Sequence, residues 1–94
     1  MERPTFEAML AAAPGVTLDG ETYTIADDYS VSVYIGEPGQ AMEVSEVTAL
    51  RFQLAFCEVT SREHHAVYFV EYSSLHGLCV RPPSVAGDRR AGFS

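Results

Sequence analysis

Residues 48–72 read TALRFQLAFCEVTSREHHAVYFVEY, and the periodicity of this stretch decides the fold class. Side chains on a strand alternate between its two faces, so apolar residues at every second position mark a buried row. Leu50, Phe52, Leu54 and Phe56 form one such row, and Arg51, Gln53, Ala55, Cys57 and Val59 form the opposite one. Ser61-Arg62-Glu63-His64 is a polar break and reads as a turn. The returning leg sets Val67, Phe69 and Glu71 on one face and Ala66, Tyr68, Val70 and Tyr72 on the other. With residues 60 and 65 opposed, Phe56 is expected to face Phe69, Cys57 to face Tyr68, Ala55 to face Val70, and Gln53 to face Tyr72. That register makes Leu50, Phe52, Leu54, Phe56, Val67 and Phe69 the expected core face.

An antiparallel sheet with one solvated face should be polar on that face. Here the second face carries Ala55, Cys57, Val59, Ala66, Tyr68, Val70 and Tyr72, so it needs a cover of its own. Either an N-terminal helix or another subunit is expected to supply it. Tyr and Arg serve well at interfaces because they bury a large area and keep a polar end. The expected interaction residues are therefore Arg51, Gln53, Ala55, Cys57, Tyr68, Val70 and Tyr72.

On the N-terminal side of this hairpin, Phe6, Met9, Leu10 and Ala13 recur at helical spacing behind Pro4. The pattern predicts a helix over 4–13, stopped by Pro14-Gly15. Asp19-Gly20 separates two strand-like runs, Val16 to Leu18 and Glu21 to Ile25. Asp27-Asp28 marks the next turn. Tyr29 to Ile35 alternates, Gly36 to Gly39 breaks the pattern, and Ala41 to Val44 makes a short strand. On the C-terminal side, Ser73-Ser74-Leu75 reads as a single helical turn and Gly77 to Arg81 as a closing strand, ended by Pro82-Pro83. Residues 84–94 show no periodicity and are expected to form a tail. The whole predicts one domain over 1–83, mainly β. The expected architecture is a small, strongly bent antiparallel sheet or SH3/Sm-like barrel of about five to six strands with one N-terminal helix.

This order of elements resembles the small SH3-like barrels of the Sm-like class, the bacterial Sm-like RNA chaperones included. The residues that carry the resemblance are Val70-Glu71-Tyr72-Ser73-Ser74-Leu75-His76-Gly77-Leu78, similar to that family's strand, single turn and closing strand. It extends over most of 4–81 and implies self-association through exposed strand edges. RNA binding is not carried over. That family reads RNA with a Lys-His pair near this turn, where this chain has Glu71-Tyr72 and no Lys anywhere.

Charge points the same way. Thirteen Asp and Glu stand against six Arg in 94 residues, a formal net charge of −7. Phosphate contacts need clustered cations, so a nucleic acid or an anionic membrane surface is not an expected partner. The longest apolar runs are broken before the ~20 residues of a membrane span, and the N-terminus lacks the basic region of a signal peptide. A cytoplasmic location is expected, with Cys57 and Cys79 as free thiols in apolar runs.

No catalytic constellation is expected. Cys57 lies too far along its strand from His64 and His65 for a dyad, and Ser73, Ser74 and His76 lack a nucleophile elbow. His64-His65 has neither HxH nor HExxH spacing, so neither a metal nor another cofactor is expected. The leading expectation is a non-enzymatic protein–protein interaction module, a homodimer or small ring joined through the second face of the 48–72 hairpin. The alternative is a small acidic regulator, an inhibitor or antirepressor, that binds the basic surface of a nucleic-acid-binding protein.

Overall fold

The protein is described by a computed structural model covering residues 2–37 and 39–83. The tail expected over 84–94 lies outside the described residues. Helix α1 (Arg3–Ala12) opens the chain. Eight strands follow among the described residues: β1 (Val16–Asp19), β2 (Thr22–Ile25), β3 (Ser30–Ile35), β4 (Met42–Val44), β5 (Val47–Phe52), β6 (Phe56–Ser61), β7 (Ala66–Glu71) and β8 (Leu75–Arg81). The fold is thus mainly β with one N-terminal helix, as the periodicity predicts. It differs from the expectation in strand number and in closure. There are two antiparallel sheets, ordered β1-β2-β5-β6-β7 and β4-β3-β8, and they do not close into a barrel.

The extra strand comes from residues 53–55. The run from Leu50 to Val59 looks continuous in sequence, yet the chain reverses at Leu54-Ala55, where the Gln53 amide donates to the Phe56 carbonyl at 2.8 Å. β5 and β6 then pair with Leu50 opposite Val59 and Phe52 opposite Cys57. The turn contains no Gly, Pro, Asn or Asp, the residues by which turns are read from sequence. Its effect is to invert the pattern. Leu50 and Phe52 point inward from β5, whereas Cys57, Val59 and Ser61 point inward from β6.

The core assembles between the sheets from Val31, Val33, Val44, Val47, Leu50, Phe52, Val59, Val70 and Leu75. α1 contributes Phe6 and Leu10, both fully buried, one turn apart on the face that the spacing predicts. A helix of ten residues is marginal alone, so this docking is what stabilises it. The β1–β2 turn uses Gly20 at a φ of 66°, a conformation glycine adopts without strain. Gly15, at a φ of 77°, lies so close to the Tyr29 ring that an added Cβ would stand 2.4 Å from it.

Two corners join the sheets near the hairpin. At the β4–β5 corner Glu46 takes a φ of 55°, and its carbonyl accepts the Arg62 amide at 2.8 Å. The buried Ser61 hydroxyl donates to the Ser45 carbonyl at 2.7 Å and accepts the Glu63 amide at 3.0 Å. The β6–β7 turn is thereby tied to the body of the protein. The β7–β8 corner is the single 3-10 turn Tyr72–Ser74, close to the helical turn predicted at 73–75.

Candidate interaction surface

The outer row across the large sheet runs Thr22, Arg51, Glu58, Phe69, each directly opposite the next. Its partner rows add Phe56 opposite Glu71 and Thr60 opposite Val67. The β2–β5 side of this face is polar, and Glu58 accepts a hydrogen bond from the Gln53 amide nitrogen at 2.9 Å. The β6–β7 side is apolar. Phe69 is 68% exposed and Val67 47% exposed, and the Phe56 and Phe69 rings lie 5.7 Å apart in a tilted pair. Leu54, in the turn leading into β6, is 94% exposed. β7 stands at the margin of its sheet and pairs there only with β6 among the described strands.

These positions reverse the expected assignment of the hairpin faces. Leu50 and Phe52 are core residues as expected, but Leu54, Val67 and Phe69 are exposed and Phe56 is half-buried. Of the expected interaction residues, Cys57 and Val70 are fully or almost fully buried in the core and cannot meet a partner. Tyr68 and Tyr72 are half-buried and pack against the core from its margin. Arg51 and Ala55 are exposed and Gln53 is half-buried, on the polar β5 side and its turn, and of the three only Gln53 is shown bonded to one of the tyrosines. The ladder register is shifted by two residues as well, with Phe56 opposite Glu71 and Cys57 opposite Val70. A two-residue shift keeps every side chain on its face, so the register alone did not cause the reversal. The hidden turn at 53–55 did.

A sequence signal for the true outer face exists. Glu58 shares a row with Phe56, and Glu71 shares a row with Val67 and Phe69, whereas Cys57, Val59 and Ser61 on one leg and Ala66, Tyr68 and Val70 on the other carry no charge. An unpaired carboxylate costs too much to bury, so it marks the row that faces water.

At the Phe52 end the inner face is covered by α1. The Phe6 and Phe52 rings stack at 6.1 Å, and Phe52 also meets Tyr23 at 5.3 Å and Tyr72 at 5.7 Å. Arg3 reaches over this cluster, its guanidinium 5.6 Å from the Phe52 ring centre and 5.8 Å from that of Tyr72. It donates to the Gln53 carbonyl at 3.1 Å and pairs with Glu7 at 3.4 Å. The Tyr72 hydroxyl donates to the same carbonyl, so Gln53 and Tyr72 do meet, through the turn and not through the ladder.

Burial pushes the Cys57 thiol up from 9.0 to about 12, with Glu58 adding to the shift and Arg3 opposing it. The phenols of Tyr23 and Tyr72 are raised too, again mainly by burial. A thiolate is the reactive form, so Cys57 is inert in the fold. At pH 8 a maleimide is expected to modify the half-buried Cys79 in the native protein and Cys57 only after unfolding in urea. Rapid native labelling of both thiols would contradict the placement of Cys57. The sign of the linkage is fixed by the raised value. Stability from the neutral thiol is intact below the ordinary value of 9.0 and declines from there until the folded thiol ionises near 12.

Among the described residues no three His, Cys, Asp or Glu side chains gather where they could hold a metal ion. No described helix is long and apolar enough to cross a membrane. In comparisons with known proteins, the chain matches no family model, no curated protein and no solved structure.

Proposed function

We propose that this chain is a non-enzymatic assembly module that binds a second copy of itself through β7 and the apolar outer side of the β6–β7 hairpin. The observation that carries the reading is the pair Val67 and Phe69, exposed on a strand whose outer edge has no strand partner among the described residues. Edge strands recruit other strands unless charge, proline or a bulge blunts them. β7 has no Lys and no Pro, and its one charge, Glu71, lies at its end. Exposed aromatic area beside such an edge is the usual composition of a protein contact.

The resemblance to the Sm-like class read from Val70 to Leu78 would also favour association through edges. RNA binding forms no part of the proposal, since the chain has no Lys and Glu71 stands beside the turn. A reducing cytoplasm suits the two free thiols. An acidic regulator of a nucleic-acid-binding protein has less support. Its carboxylates are dispersed, with Asp19 and Glu21 at one end of β2 and Asp27-Asp28 at the other.

Sedimentation velocity from low to high micromolar concentration tests the proposal. A dimer or small closed assembly is the expected result, and a monomer throughout that range would overturn it.

A further inference from the structure

The charges along β7 are unequally placed, and this asymmetry restricts how two copies can pair. The strand ends in Glu71 and is preceded by the turn Arg62-Glu63-His64-His65. Glu71 therefore lies at one end, and at the other lies a turn of mixed charge in which Arg62 pairs with Glu46 at 3.8 Å and Glu63 accepts the Ser45 hydroxyl. Parallel pairing of two β7 edges would set Glu71 beside Glu71. Antiparallel pairing separates the two Glu71 side chains and brings each toward the other copy's 62–65 turn, where Arg62, Glu63, His64 and His65 are all exposed.

The pleat restricts the register further. An antiparallel contact across a two-fold axis keeps outer face with outer face, so one residue must meet its own copy at the axis. Three centres keep the apolar residues in the contact. Centring on Val67 sets Phe69 opposite His65, which lies in the turn before the strand begins at Ala66. Centring on Phe69 sets the Glu71 carboxylate opposite Val67. Centring on Tyr68 sets Phe69 opposite Val67 twice over and sends Glu71 to the His65 position. Only this last register pairs Phe69 with Val67 twice and keeps Glu71 away from both.

We infer that two copies join as an antiparallel β7–β7 pair centred on Tyr68, which makes one continuous sheet across the dimer. The inference rests on the self-association proposed above and specifies its geometry. The Phe69 and Val67 side chains form the outer surface of the seam, with Phe56 behind them. At each end of the seam the Glu71 carboxylate lies beside the turn that carries Arg62, Glu63, His64 and His65.

Directly opposed residues in an antiparallel pair have Cα atoms ~4.5–5.5 Å apart, within disulfide reach, whereas diagonal neighbours at ~7–8 Å fall outside it. Val67→Cys and Phe69→Cys are therefore prepared separately in the full-length chain with Cys79→Ser, both at exposed positions that the core does not need. Each is oxidised mildly with oxidised glutathione, alone and as an equimolar mixture. The expected result is a mixed disulfide, joining the V67C variant to the F69C variant, well above its statistical share, with little disulfide between two copies of the same variant. A dominant disulfide between two copies of either variant would overturn this register and leave self-association standing. A dimer by sedimentation with no cross-link in any combination would place the contact elsewhere and overturn the β7 pairing. A monomer by sedimentation overturns both readings. If its β7 amides are also slow to exchange, another part of the same chain covers the edge.

Discussion

Replacing Phe52 with alanine is expected to lower stability by about 3–5 kcal/mol, the range for truncating a buried aromatic side chain. Phe52 is 1% exposed and its ring is the hub at which helix and sheet meet. Phe6 stacks on it from α1, Tyr23 meets it from β2, Tyr72 meets it from the β7–β8 corner, and the Arg3 guanidinium lies over it. Truncation removes all four contacts together and leaves a cavity that only backbone movement could fill. A chain of this size has a stability of roughly 5–15 kcal/mol, so the loss takes a large share of the whole. Urea denaturation followed by circular dichroism measures it. A midpoint close to that of the parent protein would show that the helix does not depend on this hub. The same truncation at Phe69 should barely move the midpoint, because that ring is 68% exposed.

The second large effect concerns assembly. Phe69→Glu is expected to weaken self-association by a factor of about 100 or more, equivalent to about 2.7 kcal/mol, while the monomer keeps its fold. The substitution removes the apolar ring from the seam and sets a new carboxylate on the edge, which is how natural sheets discourage edge pairing. Because the new group faces solvent in the monomer, the circular-dichroism spectrum and the urea midpoint should stay near those of the parent. Equal sedimentation of parent and variant would remove Phe69 from the contact. A Tyr68→Glu substitution reports differently. Tyr68 is half-buried against the core, so a carboxylate there disturbs the fold as well as the seam.

The tyrosines of this hairpin mark the limit of what local sequence could specify. The helix stripe of Phe6 and Leu10, the hairpin turn at Gly20, the alternation of β3 and the single turn after β7 were all legible, because each depends on neighbours a few residues away. The faces of the 48–72 hairpin were not. Leu54-Ala55 carries none of the usual turn residues, so the reversal there is selected by what it allows, namely Leu50 opposite Val59 and Phe52 opposite Cys57 in one core. That benefit is tertiary and leaves no local mark.

The apolar excess of this hairpin was readable, as was the need for something to cover it. Which of its two faces lay inside was not, although Glu58 and Glu71 marked the wet one. By itself, the sequence determined a mainly β chain with one helix, an acidic net charge, and more apolar strand surface than one sheet face can bury. Only the tertiary structure decided that the Cys57 and Val70 side is the buried one, with α1 seated at its Phe52 end, and that Phe69 and Val67 are exposed on a strand with no outer partner among the described strands. The physical reason is that strand periodicity defines two faces without saying which is inside. A single reversal of the chain at Leu54-Ala55 exchanges them.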